Sequence, residues 1–160
     1  MKGSPRIFFR PERCMSCLSC RFACQKQAAA GGSPSERITL TFHQGTPWVW
    51  KCQQCASAPC VEACVSGSLR QEANGVTHTP ERCVGCGSCS LVCPFGAIRP
   101  ERQDRMTKCN LCREEPVPPC VKACLTQALM LAEPVRFARM KTEAFALASG
   151  KRRGTKNERT

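Results

Sequence analysis

The chain has 160 residues, a formal net charge of +12 and 16 cysteines, while Leu, Ile, Val and Phe together make up under a fifth of it. So few apolar residues with so high a charge exclude a large apolar core, and by composition alone they favour disorder. The length suits one or two small domains, so something besides apolar packing is expected to hold the fold together.

The first predicted element is a short strand at residues 6–10, followed by a run of four cysteines and then a loop. The run comprises Cys14, Cys17, Cys20 and Cys24 and reads C-x2-C-x2-C-x3-C. Residues 28–35 consist of Ala, Gly, Ser and Pro and predict a flexible loop.

A β-hairpin is predicted next, because residues 38–42 alternate between apolar and polar and a turn at residues 45–47 leads into a second strand at 48–50. Trp48 and Trp50 alternate with Val49, so both are expected on one face, where they either pack over a cofactor or form a surface that docks another subunit. The second cysteine run follows with a wider middle gap, in which Pro59 favours a loop. Its members are Cys52, Cys55, Cys60 and Cys64.

Two further runs complete the pattern. Strands predicted at residues 76–78 and 97–99 flank the third run, which repeats the spacing of the first and comprises Cys83, Cys86, Cys89 and Cys93. The fourth run again has a wide gap rich in proline and comprises Cys109, Cys112, Cys120 and Cys124. A strand at 129–131 and a helix at 139–148 are predicted after it. The alternation of tight and wide runs indicates internal duplication of a two-run unit.

The spacing points to cubane iron–sulfur chemistry. The tight runs have the bacterial ferredoxin spacing, in which three cysteines wrap one [4Fe–4S] cluster and the fourth turns away to a neighbouring cluster. Sixteen cysteines in four such runs predict four [4Fe–4S] clusters. Metal–thiolate bonds would then hold a fold that apolar packing cannot, and the apo-protein should be largely unfolded.

Two other uses of cysteine compete with this interpretation. A disulfide scaffold is disfavoured because no secretory signal precedes Cys14. Structural zinc also uses C-x2-C pairs, but its sites need two separated pairs and no third cysteine two residues further on. A zinc-stabilised nucleic-acid-binding protein therefore remains the second hypothesis, favoured only by the basic segment at residues 151–156.

The charge and the partners follow from the clusters. Each [4Fe–4S] core with four thiolates carries about −2, so four clusters would bring the net charge from +12 to about +4. A nucleic-acid partner is then not expected. No apolar stretch is long enough to cross a membrane, and no export signal is recognised, which predicts a cytoplasmic protein without a membrane span.

Five segments carry a resemblance to a known family. They are residues 58–64 (APCVEAC), 82–89 (RCVGCGSC), 92–98 (VCPFGAI), 108–112 (KCNLC) and 119–124 (PCVKAC). The chain from about residue 6 to 132 resembles the four-cluster, ferredoxin-like iron–sulfur subunits of the dimethyl-sulfoxide-reductase family. Similar subunits accompany formate dehydrogenases, hydrogenases, carbon monoxide dehydrogenases and tungsten aldehyde oxidoreductases.

The resemblance implies how the cysteines pair across the runs, with the first run joined to the fourth and the second to the third. We call the implied ligand groups sets A to D. Set A is Cys14, Cys17, Cys20 and Cys124. Set B is Cys109, Cys112, Cys120 and Cys24. Set C is Cys52, Cys55, Cys60 and Cys93. Set D is Cys83, Cys86, Cys89 and Cys64.

The implied fold is α+β and ferredoxin-like, with short hairpins and short helices around the clusters and one bicluster module inserted into another. The outer module would comprise residues 1–45 and 100–135, the inserted module 46–99, and a helix with a basic tail 136–160. We recognise no catalytic residues, so the chain is expected to be a non-catalytic electron-transfer subunit, active in anaerobic metabolism. Its partner would be a larger molybdenum, tungsten, nickel or flavin oxidoreductase subunit. Self-assembly into a conductive scaffold is a further alternative.

Overall fold

The fold was analysed in a computed structural model, which describes residues 4–32, 36–101 and 105–154. Within those ranges it contains eight short strands and five helices. The strands are β1 (Arg6–Phe9), β2 (Ile38–His43), β3 (Thr46–Lys51), β4 (Leu69–Glu72), β5 (Gly75–His78), β6 (Arg99–Pro100), β7 (Met106–Thr107) and β8 (Leu129–Ala132). The helices are α1 (Ser19–Ala30), α2 (Pro59–Glu62), α3 (Ser88–Leu91), α4 (Pro119–Lys122) and α5 (Pro134–Gly154).

The described strands form four two-stranded antiparallel ribbons, β1–β8, β2–β3, β4–β5 and β6–β7. Three of them are local pairs, while β1 and β8 bring the two ends of the cysteine-bearing region together, with Arg6 opposite Ala132. This is a small mixed α/β fold of short strands and short helices, as the ferredoxin-like expectation requires. Two-stranded ribbons are marginal by themselves in water, so contacts between the ribbons and the cysteine loops must stabilise them.

The two tight runs and the two wide runs are repeated in structure as well as in sequence. A single 3-10 turn with the sequence Pro-Glu-Arg precedes each tight run, at Pro11–Arg13 and Pro80–Arg82. Each wide run instead contains a four-residue helix that begins with proline, at Pro59 and Pro119. The same local elements therefore recur in the same order in the two halves of the chain.

The strand predictions are confirmed at β1, β2, β5 and β8, and the hairpin prediction is confirmed by the pairing of β2 with β3. The turn of that hairpin lies at Gln44 and Gly45, both with positive φ, and Pro47 belongs to β3. Trp48 and Trp50 lie on the face opposite the buried Val49, are 47% and 43% exposed and line none of the three cysteine cavities, which favours the docking face over packing against a cofactor.

Three boundary predictions also differ from the structure. The loop predicted at residues 28–35 is helical at its start because α1 continues to Ala30, and residues 33–35 lie outside the described residues. Pro59 and Pro119 begin helices instead of preventing them, since proline at the first helical position removes only an N–H that has no partner there. Helix α5 begins at Pro134, five residues before the predicted start, for the same reason.

Two groups of buried residues form the core, and cysteines belong to both. Ile7 of β1 and Leu129 of β8 are 2% exposed and lie in a group that also contains four buried cysteines. Val76 of β5 is 1% exposed and belongs to the second group, with Cys60 and Cys89. Thiols therefore occupy positions that aliphatic side chains fill in most small domains.

Helix α5 packs against the outside of this core through its first two turns. The rings of Phe8 and Phe137 stack with centroids 4.0 Å apart, and Lys141 Nζ lies 2.8 Å from Glu12 Oε1. Residues 142–148 of the helix are exposed. Among the described helices, α5 included, none is both long and apolar enough to cross a membrane.

Candidate metal centres

The four runs place their cysteines on equivalent elements. The third cysteine of each run is the second residue of a helix, and in all four cases it is buried: Cys20 on α1, Cys60 on α2, Cys89 on α3 and Cys120 on α4. The fourth cysteine follows within the helix or just after it. Cys20 and Cys24 are one turn apart on α1, so one helix carries ligands of both set A and set B.

The Cys-x2-Cys segments share one backbone conformation. The residue before the second cysteine has a positive φ in all four runs: Ser16 at 60°, Gln54 at 52°, Gly85 at 70° and Leu111 at 63°. A left-handed residue reverses the chain within two residues, which turns consecutive cysteines of a run towards a common side. Only Gly85 adopts this conformation without steric cost.

Three cavities coincide with three of the implied ligand sets. One is lined by the four cysteines of set B, a second by the four of set C, and a third by the four of set D. Each has about 330–380 Å³ of space between the protein atoms, its opening to solvent included. Each cavity thus receives three cysteines from one run and one from another.

The thiols of set A are brought together at Cys20. The pKa of Cys20 is raised to about 11, chiefly by burial and also by the charges of Cys124, Cys14 and Cys17. All three belong to set A, although Cys124 is more than a hundred residues away in the chain. The structure therefore brings the fourth run's last cysteine to the first run.

The same pattern of mutual influence holds in the other sets. Burial raises the pKa of Cys112 to about 11, with added contributions from Cys109 and Cys24 of set B. Burial likewise raises the pKa of Cys60 to about 11, with Cys52 of set C as the next cause. Thiols crowded in this way keep their protons until a cationic group replaces them, so metal binding there would release protons.

Backbone N–H groups point at the fourth cysteine of every run. Arg37 N donates to Cys24 Sγ at 3.3 Å, and Ala97 N donates to Cys93 Sγ at 3.5 Å. The wide runs repeat one geometry, since Leu69 N donates to Cys64 Sγ and Leu129 N to Cys124 Sγ, both at 3.3 Å. Hydrogen bonds to cysteine sulfurs are among the features that set the reduction potential of an iron–sulfur cluster.

Sets B and C meet at a junction of three buried polar side chains. Gln54 Nε2 donates to Cys109 O at 2.7 Å, and Gln54 Oε1 accepts from Val76 N at 2.9 Å. Lys108 Nζ donates to Val76 O at 2.7 Å and to Cys109 O at 3.1 Å. Lys51 Nζ donates to Gln53 Oε1 at 3.3 Å. This junction ties the second run to the fourth.

These three residues were missed by the sequence analysis, and the one feature that marks the two lysines does not reveal that they are buried. Lysine and glutamine are seldom buried, so composition gives no reason to place them inside. Each run, however, is preceded by a base: Arg13, Lys51, Arg82 and Lys108. The two arginines are exposed, and the two lysines are 4% and 3% exposed.

The residues present fit [4Fe–4S] clusters. All sixteen cysteines are free thiols, so no disulfide competes for them. The described residues that line the three cavities include no Asp or Glu, whereas Arg37, Lys51 and Lys108 are among them, which suits an anionic group. Among the described residues, no three His, Cys, Asp or Glu side chains lie close enough to hold a single metal ion.

Comparison with known proteins identifies the class. The family of 4Fe-4S binding domains matches residues 76–99, which contain the third run. An "Iron-sulfur protein" of Rhodospirillum rubrum is 34% identical over 83% of this chain and 84% of its own length. The "Putative electron transport protein YsaA" of Escherichia coli is 36% identical over 79% of this chain and 88% of its own length.

A third relative is much longer. The "Putative oxidoreductase AegA" of Escherichia coli is 28% identical over 84% of this chain, which corresponds to only 23% of that protein. Together with the fold and the cysteine sets, the similarities define a ferredoxin-like protein that holds [4Fe–4S] clusters. The chain belongs to the family of ferredoxin-like iron–sulfur electron-transfer proteins, and its function is electron transfer.

Proposed function

We propose that the chain holds one [4Fe–4S] cluster in each of sets A to D and relays single electrons between a catalytic oxidoreductase subunit and another redox partner. The observation that carries this proposal is the lining of three separate cavities by sets B, C and D, with set A gathered around Cys20. When bound, such clusters accept and donate one electron at a time.

The elements that link the sets support a linear order, A–B–C–D. Helices α1 and α4 each connect sets A and B, because each leads from a buried third cysteine to the fourth cysteine of the same run. Helices α2 and α3 connect sets C and D in the same way. Sets B and C share no run, and the Gln54 and Lys108 hydrogen bonds join them instead.

The two ends of that order reach the surface. Cys17 of set A and Cys86 of set D are exposed, and both are the second cysteine of a tight run. Apolar side chains stand beside them: Met15 is 62% exposed near the first end, and Val84 is 69% exposed near the other. Exposed apolar residues around an exposed ligand suit docking of a redox partner at each end.

A two-module fold follows from the same sets. Sets A and B would form the outer module, residues 1–45 and 100–135, and sets C and D the inserted module, residues 46–99. The ribbons β2–β3 and β6–β7 would then lie at the two connections between the modules, since β2 and β3 stand on either side of the first boundary and the second boundary falls within β6. A cytoplasmic location stays a prediction from the sequence.

The relatives favour electron transfer over a zinc-stabilised nucleic-acid-binding protein. The names of two of them describe an iron–sulfur protein and a putative electron transport protein. A segment similar to this chain occupies about a quarter of a putative oxidoreductase. That arrangement supports a partnership in which a larger subunit performs catalysis and this chain transfers electrons.

The ligand sets can be tested by iron analysis of cysteine variants prepared without oxygen. The wild-type chain should hold about 16 iron and 16 sulfide, from four complete sets of four thiolates. Cys124→Ala combined with Cys14→Ala should lose no more iron than the Cys124→Ala variant alone, because both belong to set A. Cys124→Ala combined with Cys109→Ala should lose the iron of two clusters.

The opposite result would show that each run closes on its own cluster. In that case the double variant of Cys124 and Cys109 would lose the iron of one cluster, and the double variant of Cys124 and Cys14 would lose the iron of two. Stoichiometric zinc in place of iron would refute the cofactor itself. The relay is tested by isolating a tagged chain from cell extract without oxygen. The tagged chain should bring with it a larger subunit that contains a metal or a flavin. A chain that is monomeric in the extract would contradict its role as a subunit.

A further inference from the structure

We propose that Lys51 and Lys108 are positioning residues that raise the reduction potentials of the clusters in sets B and C, so that electrons reside preferentially in the middle of the relay. This role presupposes the four sets of the proposed function.

Both lysines are buried without a carboxylate partner. They are 4% and 3% exposed, and the ion pairs of the described residues do not include either of them. Their ammonium groups donate to neutral oxygens, Lys51 to a glutamine amide and Lys108 to two backbone carbonyls. A buried cation without an anionic side chain beside it needs another source of negative charge. A thiolate-bound cluster supplies that charge.

Each lysine reaches the set on the far side of the junction. Lys51 precedes Cys52 of set C, yet it lines the cavity of set B. Lys108 precedes Cys109 of set B, and one of the two carbonyls to which it donates belongs to Val76, which lines the cavity of set C. Lys108 also borders the cavity of set D, but the thiols whose rise in pKa its charge opposes are Cys60 and Cys109.

Reduction adds one negative charge to a cluster, and a nearby cation stabilises the reduced form. At the effective dielectric of a protein interior, a buried unit charge beside a cluster changes the equilibrium constant for its one-electron reduction by about tenfold or more. Solvent ions screen buried charges weakly, so the effect should persist when salt is added.

In the end sets the base that precedes the run is not buried, although Lys108 also borders the cavity of set D. The bases that precede the runs of sets A and D are Arg13 and Arg82, and both are exposed. Water and salt screen exposed charges, so these arginines should contribute little to the potentials of their clusters. The chain thus offers matched controls, because each buried lysine has an exposed arginine at the equivalent position of the other type of run.

The experiment is an anaerobic redox titration of the purified holo-protein, followed by electron paramagnetic resonance. Lys51→Gln and Lys108→Gln remove the charge and keep a donor for the neighbouring oxygens. Each variant should lower the equilibrium constant for one-electron reduction of a cluster in set B or set C about tenfold, which is a decrease of about 59 mV in its reduction potential. Arg13→Gln and Arg82→Gln should change every potential by much less, and Lys108→Arg should retain the wild-type potential.

Several results would overturn the role. The role is contradicted if the lysine variants shift the reduction potentials no further than the arginine variants do. It is also contradicted if a lysine variant shifts the potentials of all four clusters equally. A Gln54→Met variant tests whether disturbance of the junction alone is sufficient, since it removes hydrogen bonds to Cys109 O and from Val76 N without a change of charge. If that variant lowers the same potentials equally, the charge of the lysines is not the cause. A wild-type chain with fewer than four clusters would instead refute the proposed function.

Discussion

Gln54 is the residue whose loss should most weaken the connection between sets B and C. Its side chain spans the junction with two hydrogen bonds, to Cys109 O at 2.7 Å and from Val76 N at 2.9 Å. The substitution Gln54→Met keeps the length of the side chain and the same strain at φ 52°. It therefore isolates the hydrogen bonds.

The cost of this substitution can be worked out bond by bond. Val76 is 1% exposed, so its N–H would be left buried without a partner, at a cost of about 1–3 kcal/mol. Cys109 O keeps the bond from Lys108 Nζ at 3.1 Å, so the second loss costs about 1 kcal/mol. The two losses add to about 2–4 kcal/mol. If opening of the junction limits the loss of clusters, a cost of 2 kcal/mol alone makes that loss about 30-fold faster.

The assay follows the visible absorbance of the anaerobic holo-protein in moderate guanidinium and yields the rate of cluster loss. Gln71→Met is the matched control, because Gln71 is exposed and donates at 3.4 Å to the carbonyl of the next residue. That variant should stay close to the wild type. If Gln54→Met loses its clusters no faster than Gln71→Met, the junction does not hold the two pairs of sets together.

Two further predictions concern residues with positive φ. Gly75→Ala should destabilise the holo-protein, since the added Cβ would lie 2.7 Å from the Gln54 amide oxygen and the residue has a φ of 117°. Gly67→Ala is the control, because a Cβ there meets nothing within 4 Å and adds only the strain of a φ of 63°. The temperature at which each variant loses its visible absorbance compares the two. Ser16→Gly should slow the loss of clusters, because it relieves about 1 kcal/mol of strain in a left-handed backbone conformation. Gly85→Ser makes the reverse change at the equivalent position and should accelerate the loss. Equal rates of cluster loss for the two variants would show that this backbone strain does not affect stability.

The cysteine runs and most of the strands could be predicted because the information is local. Three of the four ligands of a ferredoxin cubane stand within a few residues of one another, so spacing alone indicates the chemistry. The same holds for β2 and β3, where alternation of apolar and polar residues predicts a ribbon with one buried face. The boundaries were less predictable, since Pro59 and Pro119 are compatible both with a loop and with the first residue of a helix.

The junction could not be predicted, because it depends on residues that are unremarkable in isolation. A lysine before a cysteine is usually exposed, and nothing in the local sequence distinguishes Lys51 from Arg13. Leu111 and Gln54 likewise adopt left-handed backbone conformations that sequence preferences assign to glycine. Both residues lie between two cysteines of a run, and ligation of those cysteines to one cluster, as proposed, would favour a conformation that their own preferences do not.

The two types of run also differ in where their cysteines lie. In the tight runs the second cysteine is exposed, at Cys17 and Cys86, while in the wide runs the first cysteine is buried, at Cys52 and Cys109. The middle gap of each wide run ends at the proline that begins a helix, a feature that the tight runs lack. Under the proposed ligand sets, the exposed cysteines of the tight runs belong to the end sets A and D, and the buried first cysteines of the wide runs belong to sets B and C. A relay between two partners, as proposed, needs an accessible set at each end, and the tight runs would supply both.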